Sequence, residues 1–519
     1  HPCEWKGVSC VEGCHVTKLD LLARKEIAGD LVPVGNLRRL RYLDLCNTLV
    51  SGGLAPLQNL TQLWSLSLSN TQVWGDLGHL QNLTLLERLF LSQTEVSGNL
   101  RSLQGLTQLA QLSLSQTRVS GDLQALSHLT VLGRLHLSHT QVWGDLANLQ
   151  KLTQLFSLSL SRTQLGGSLK PLQHVGLEKL YLSQTQVTGD LGPLRNLTRL
   201  MRVDLSETQV RGIMEPLQNL KKLQWLLLSR TQVSGEMGPL QHLTRLKRLH
   251  LSQTQASGNL RNLQGLRKLS ELHLSHTQIS GDLGPLRRLT QLQDLDVSDS
   301  PIAGELSALV NLTGLATADL GHTRITGWFS ASTWKGCCQH LRTLNLVASR
   351  AGGELPKVFF PLEVSETEPF LPSLQELDVS GCELRGTVTD FMLALAATPL
   401  VKVRARACGL HGAMPRLENL PATLIFNSTR NETRPSWDAT LLGTLQAMDL
   451  SENNITGLEE LPAASQVRLQ RNGRPLVLAP VAVQTALSRQ TFLDLSGTAL
   501  ANKEDMKQLL KKELKLQDA

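Results

Sequence analysis

Residues 68–77 read LSNTQVWGDL, and the phrase returns as LSQTEVSGNL at 91–100, LSQTRVSGDL at 114–123 and LSHTQVWGDL at 137–146. Its leading position recurs at Leu160, Leu182, Leu205, Leu228, Leu251, Leu274, Val297 and Leu320, in steps of 23 residues except the 22 between Leu160 and Leu182. A fixed period of this length specifies coils stacked side by side, each burying its apolar side chains against its neighbours. The 519 residues, which a globular count would split into about three or four domains, are therefore expected to form one elongated body.

Within a unit the pattern is L-x-x-L-x-L-x-x-T-x-V, as at Leu63, Leu66, Leu68, Thr71 and Val73. Leu66 and Leu68 alternate with Ser65, Ser67 and Ser69, which predicts a short strand with one buried side. Leucines then fall every third residue (Leu77, Leu80, Leu83, Leu86, Leu89), the spacing of tight helical turns. Asp76, Asn99, Asp122, Asp145, Ser168, Asp190, Asn259 and Asp282 stand where a side chain can cap such a turn. Pro56, Pro193, Pro239 and Pro285 follow, where no N–H donor is needed. The repeated threonines (Thr71, Thr94, Thr117, Thr140, Thr163, Thr185) are expected to face inward and to bond backbone groups of adjacent coils, since a buried hydroxyl needs a partner. Cys382, Cys408 and Asn453 occupy the same slot later.

These residues resemble the leucine-rich-repeat family. The V-x-G-D-L stretch resembles the plant-type, receptor-like subclass, although its Ile-Pro pair is missing and Thr replaces the usual ladder Asn. The opening segment His1-Pro-Cys-Glu-Trp-Lys-Gly-Val-Ser-Cys10 is similar to that subclass's N-terminal cap. The resemblance implies an α/β, right-handed solenoid with a concave parallel β-sheet and short helical or 3-10 turns on the convex side. It also implies a Cys3–Cys10 disulfide and a Trp5 packed over the first coil. Ligand recognition by an extracellular domain, or inhibition of a secreted enzyme, is the function it suggests.

The expected organisation is a cap over 1–18, regular repeats over 19–329, and irregular repeats over 330–500 with an inserted loop at 356–372. Leu344, Leu377, Val403, Met448 and Leu493 centre the later strands, and Leu424–Phe426 and Val467–Leu469 read as degenerate ones. Residues 501–519, with Met506, Leu509, Leu510 and Leu514 at helical spacing, read as an amphipathic capping helix; a membrane-surface helix is the rival. No apolar run approaches the ~20 residues of a membrane span. The chain opens on His1, as expected of a processed or trimmed product.

Cys3 and Cys10 aside, Cys382 and Cys408 read as reduced ladder residues, and the pairing of Cys14, Cys46, Cys337 and Cys338 stays open. Asn59, Asn82, Asn196, Asn311, Asn427, Asn431 and Asn454 begin glycosylation sequons. The first four are also part of the repeat phrase, whereas Asn427 and Asn431 lie in a polar stretch outside it. An extracellular or cell-surface setting is expected, with a cytoplasmic scaffold as the alternative. The net charge of +7 is spread without a dense basic run or aromatic interleaving, which argues against nucleic acid.

Repeats differ most at the positions facing away from the core beside the strand leucines. Candidate contacts for a protein or peptide ligand there are Arg88, Phe90, Arg134, His136, His139, Tyr181, Arg202, Trp225, Leu227, Arg230, Arg248, His250, His273 and His276. Aromatic and arginine side chains are the usual interface anchors. Drift after duplication is the competing reading, and a metal-dependent or pH-sensitive role of the paired histidines is a weaker one. No cofactor is expected. Phosphate-binding loops, His-Glu-x-x-His, nucleophile elbows and kinase signatures are all missing from the sequence, so no catalysis is expected.

Overall fold

In the computed structural model, the described residues are 2–11, 15–327, 338–354, 371–395, 400–414, 447–458, 466–468, 472, 477–478 and 492–494. The chain forms two compact units, His1–Ser257 and Gly258–Ala519. The predicted helix at 501–519, most of the loop at 356–372, the strand at Leu424–Phe426, and Cys14, Cys337, Asn427 and Asn431 lie outside the described residues.

One coil of the first unit shows how the phrase folds. Strand Ser65–Ser67 pairs in parallel with Tyr42–Asp44 and Arg88–Phe90, leucine beside leucine. Leu63, Leu66, Leu68, Val73, Leu77, Leu80 and Leu83 are all fully buried. The three-residue spacing arises because Leu83 N–H donates to Leu80 and Leu86 N–H to Leu83, each at 3.0 Å. A 3-10 turn spans Leu77–Leu80, and Asp76 caps it by accepting from Gly78 N–H at 2.6 Å. Asn99, Asp122, Asp145, Asp190, Asn259 and Asp282 make the same contact, as expected. The single 22-residue step is absorbed on the return, where Leu177 N–H reaches Val175 at 2.8 Å instead of bonding three residues back.

Between strand and turn lies a second run of parallel strands that the sequence reading lacked: Gln72–Asp76 pairs with Leu49–Gly53 and Glu95–Asn99. Its glycine is structural. Gly98 has φ +110, and a Cβ there would stand 2.7 Å from the Asp76 cap and 2.8 Å from Leu77 N.

The threonines correct the expectation of a ladder between coils. Thr71, Thr94, Thr117 and Thr140 are buried, but each hydroxyl donates within its own coil, to the carbonyl of Leu68, Leu91, Leu114 and Leu137 at 2.6 Å. The coil-to-coil ladder belongs to serines instead. Ser69 Oγ accepts from Ser92 N–H, Ser92 from Ser115, Ser115 from Ser138, Ser138 from Ser161 and Ser161 from Ser183, at 3.0–3.1 Å.

The N-terminal strands Val8–Val11 and His15–Asp20 pair antiparallel, and the second pairs in parallel with Tyr42–Asp44. Cys3 and Cys10 are bonded. Trp5 is 66% exposed and does not pack over the first coil, contrary to expectation.

In the second unit, strands Glu271–His273, Asp294–Asp296, Thr317–Asp319, Thr343–Asn345, Glu376–Asp378, Lys402–Arg404, Ala447–Asp449, Gln466–Arg468 and Phe492–Asp494 pair in parallel in that order. The predicted centres Leu344, Leu377, Val403, Met448, Val467 and Leu493 all lie on them. A helix, Val388–Leu395, replaces one 3-10 turn; Thr387 caps it and accepts from Asp390 N–H at 3.1 Å. Cys382 and Cys408 are free and buried, and their thiols donate to Leu346 and Val379 of the preceding coil at 3.0 Å. Asn453 Nδ2 donates to Ala405 and Leu450, while its Oδ1 accepts from Cys408 and Leu410 N–H. Among the described residues no helix is long and apolar enough to cross a membrane.

Candidate ligand-binding face

Strands in these coils are only three residues long, so one outward column precedes the central leucine and another follows it. In the first unit the leading column holds Arg88, Gln111, Arg134, Ser157, Lys179, Arg202, Trp225 and Arg248 in parallel register. The following column holds Phe90, Ser113, His136, Ser159, Tyr181, Asp204, Leu227 and His250. Of the nominated residues in these columns Arg88 is exposed and the others are half-buried.

The strongest grouping is Trp225. Arg202 and Arg248, one from each neighbouring strand, hold their guanidinium groups 4.1 and 4.4 Å from its ring. Each contact contributes about 0.5–1 kcal/mol at such a site and fixes the ring's orientation. Among the described residues no carboxylate forms an ion pair with Arg88, Arg134, Lys179 or Arg202. The leading column is thus a row of cations in a partly desolvated setting.

His136 Nε2 lies 2.9 Å from Ser157 Oγ. Burial, reinforced by Arg134 and Lys179, lowers its pKa to about 4, so it is neutral at physiological pH. In the second unit His273 Nε2 lies 2.8 Å from Asp294 Oδ2. Burial opposes its charge, but the hydrogen bond and charge of Asp294, with Asp296 and Glu271, outweigh that and raise its pKa.

His139, Arg230 and His276 do not occupy strand positions as the sequence suggested. They follow the strands with φ of +58°, +56° and +52°, the left-handed residue that turns each coil out of the main sheet. There Arg230 reaches Glu207 and Gln253, and His276 reaches Asp299 at 3.5 Å. Among the described residues no group of three His, Cys, Asp or Glu side chains is placed to hold a metal ion.

Three aromatic side chains of this face were not nominated. Trp64 packs on Tyr42 with centroids 5.6 Å apart and lies 5.5 Å from the Arg88 guanidinium. Phe156 lies 5.8 Å from that of Arg134. Trp64 and Phe156 share sequence parity with the buried leucines, so a strict two-residue alternation assigns them to the core. They stand one residue before the strand begins, where the alternation does not yet apply.

The described sequons Asn59, Asn82, Asn196, Asn311 and Asn454 are all exposed. The first four lie at or just past the ends of 3-10 turns, away from the strand columns.

No protein-family model and no curated protein matches the chain. Solved structures do match. A TDR receptor is similar with a TM-score of 0.69 at 22% identity, covering 88% of this chain and 85% of that one. The Arabidopsis receptor kinase HAESA, solved with the peptide hormone IDA and the co-receptor SERK1, gives 0.65 at 21% identity over 96% and 94%. The plant peptide hormone receptor RGFR1, solved with RGF2, gives 0.60 at 21% over 96% and 92%. At these identities the likeness establishes the fold: the chain has the leucine-rich-repeat solenoid architecture of plant receptor ectodomains.

Proposed function

We propose that this chain is a non-catalytic recognition scaffold that captures a protein or peptide ligand on the open strand columns of its first unit, between Phe90 and His250. The row of cations Arg88, Arg134, Lys179 and Arg202, with no carboxylate paired to it among the described residues, carries the proposal. It favours an acidic ligand, because burying unpaired guanidinium groups is tolerable only when the partner supplies the charge. Trp225, held between two guanidinium groups, supplies a rigid apolar anchor. The structural neighbours solved with peptide hormones support a peptide as the ligand. Exposed sequons and the Cys3–Cys10 bond support an extracellular, receptor-like setting.

The test is ligand capture. Replacing Trp225, Tyr181 and Arg248 together by Ala should abolish capture of an acidic peptide. Replacing Glu376 by Gln and Asp378 by Asn in the second unit should leave it unchanged. Capture that survives the first set and fails with the second would place the site elsewhere.

A further inference from the structure

The residue just before each strand of the first unit forms a third column: Trp64, Glu87, Ala110, Gly133, Phe156, Glu178. Its backbone is continuous, with Gly133 N–H donating to Ala110 at 2.8 Å and Phe156 N–H to Gly133 at 2.8 Å. Its side chains are not. Two consecutive coils contribute only a methyl group and a hydrogen between the bulkier Glu87 and Phe156. The result is an open notch of about 670 Å³ floored by Ala110 and Gly133, walled by Phe156 and Val131, and rimmed by Thr130 and Thr153.

The notch mixes apolar and polar groups, with Gln111, Thr130, Thr153 and Gln154 lining it beside Val131 and Phe156. A Cβ on Gly133 would stand 2.9 Å from Phe156 Cε1, so the ring lies close over the glycine. Val131 is 47% exposed, a large apolar group left at the edge. The notch adjoins Gln111 and Arg134 of the cation column, and Arg134 lies beside the Phe156 ring.

We infer that this notch is the anchor pocket of the same face: an extended acidic peptide lies along the cation column and inserts one aromatic or branched aliphatic side chain between Val131 and Phe156. Charge complementarity selects the occupant, since among the described residues Arg88, Arg134 and Lys179 of the leading column, on and beside the coils that form the notch, have no carboxylate partner. Strands about 4.8 Å apart place Arg134 and Trp225 roughly 19 Å from one another along the column, a span of about six extended residues. One short peptide can therefore fill the notch and reach the Arg202–Trp225–Arg248 group.

The inference rests on the proposed ligand-binding face, and a peptide series separates the two. Labelled decapeptides of Asp, Glu, Ser and Gly, each with a single Phe, Leu or Ala, are titrated onto the full chain. The Phe or Leu peptide should bind about tenfold or more tighter than the Ala peptide. Ala110→Leu, which fills the notch, should abolish that preference. Val131→Glu, an exposed change that folding tolerates, should weaken the Phe peptide more than the Ala peptide. Equal affinity for the Phe, Leu and Ala peptides, or a preference that survives both substitutions, overturns the notch and leaves the cation column standing. Failure of every acidic peptide to bind overturns both.

Discussion

The residue two positions after each central leucine's outward neighbour presents the same backbone N–H to the same unsatisfied spot in both units, and the units meet that demand differently. In the first, five consecutive coils use a serine from the preceding coil, as when Ser115 accepts from Ser138 N–H. In the second, an acidic or amide side chain on the strand itself accepts in most described coils, while Arg406 N–H donates to Ser380 Oγ of the preceding coil at 3.3 Å. Asp296 takes Ser298, Asp319 takes Gly321, Asn345 takes Val347 and Asp378 takes Ser380, at 3.0–3.1 Å. Asp296 also accepts from the Ser275 and Ser298 hydroxyls, and Asp319 from Asn345 Nδ2. The carboxylates of the second unit are therefore engaged in holding its own coils. The serine solution leaves the outward strand position open, and the first unit fills it with Phe90, His136 and Tyr181. Asp204 of the first unit, which accepts from Ser206 N–H, shows that the self-satisfied form is available there too. Variation in this column thus has two causes, backbone satisfaction and surface chemistry, and the serine solution leaves room for the second more often in the first unit.

Removing the polar residue of the shared inward slot in each unit should expose a further contrast. Asn453→Ala strips partners from five backbone groups and should cost about 3 kcal/mol. Thr117→Val removes one bond inside one coil and should cost about 1 kcal/mol. Hydrogen exchange resolved by segment measures both; equal losses would mean that the threonines bridge coils after all.

The two histidines should respond to acid with opposite signs. His136 has a folded pKa of about 4 against an ordinary 6.5. Its contribution is complete above 6.5 and is lost as pH falls from 6.5 toward 4, about 2 kcal/mol after allowing for solvent screening. His273 is raised, so its contribution is complete below 6.5 and fades as pH rises through its folded value. Moving from pH 7 to pH 5 should loosen the coils around His136 and tighten those around His273. His136→Gln should remove the first effect; a loosening that persists in that variant would assign it to another group.

The coil itself was legible because packing repeats it: every third leucine, the capping Asp or Asn and the glycine kink are each demanded by a local constraint that recurs 23 residues on. What escaped the sequence follows from reach and parity. A threonine hydroxyl is long enough only for the carbonyl three residues back, whereas Asn453 spans to the preceding coil, and both occupy one slot in the pattern. The serine ladder is invisible because Ser69, Ser92 and Ser115 read as solvent-facing filler. His139 and His276 read as strand because alternation says nothing of a left-handed turn after three residues. The candidate face was legible as a column, but its aromatic border was not, since Trp64 and Phe156 fall on core parity.

Carbene footprinting of the full chain, with and without a saturating acidic decapeptide carrying one Phe, tests the central claim most directly. Masking should fall on Arg134, Phe156, Arg202 and Trp225 of the first unit and spare Glu271, Asp296 and Asp378 of the second. Masking confined to the second unit, or to the exposed Trp74 and Trp143 of the lateral strands, would contradict it.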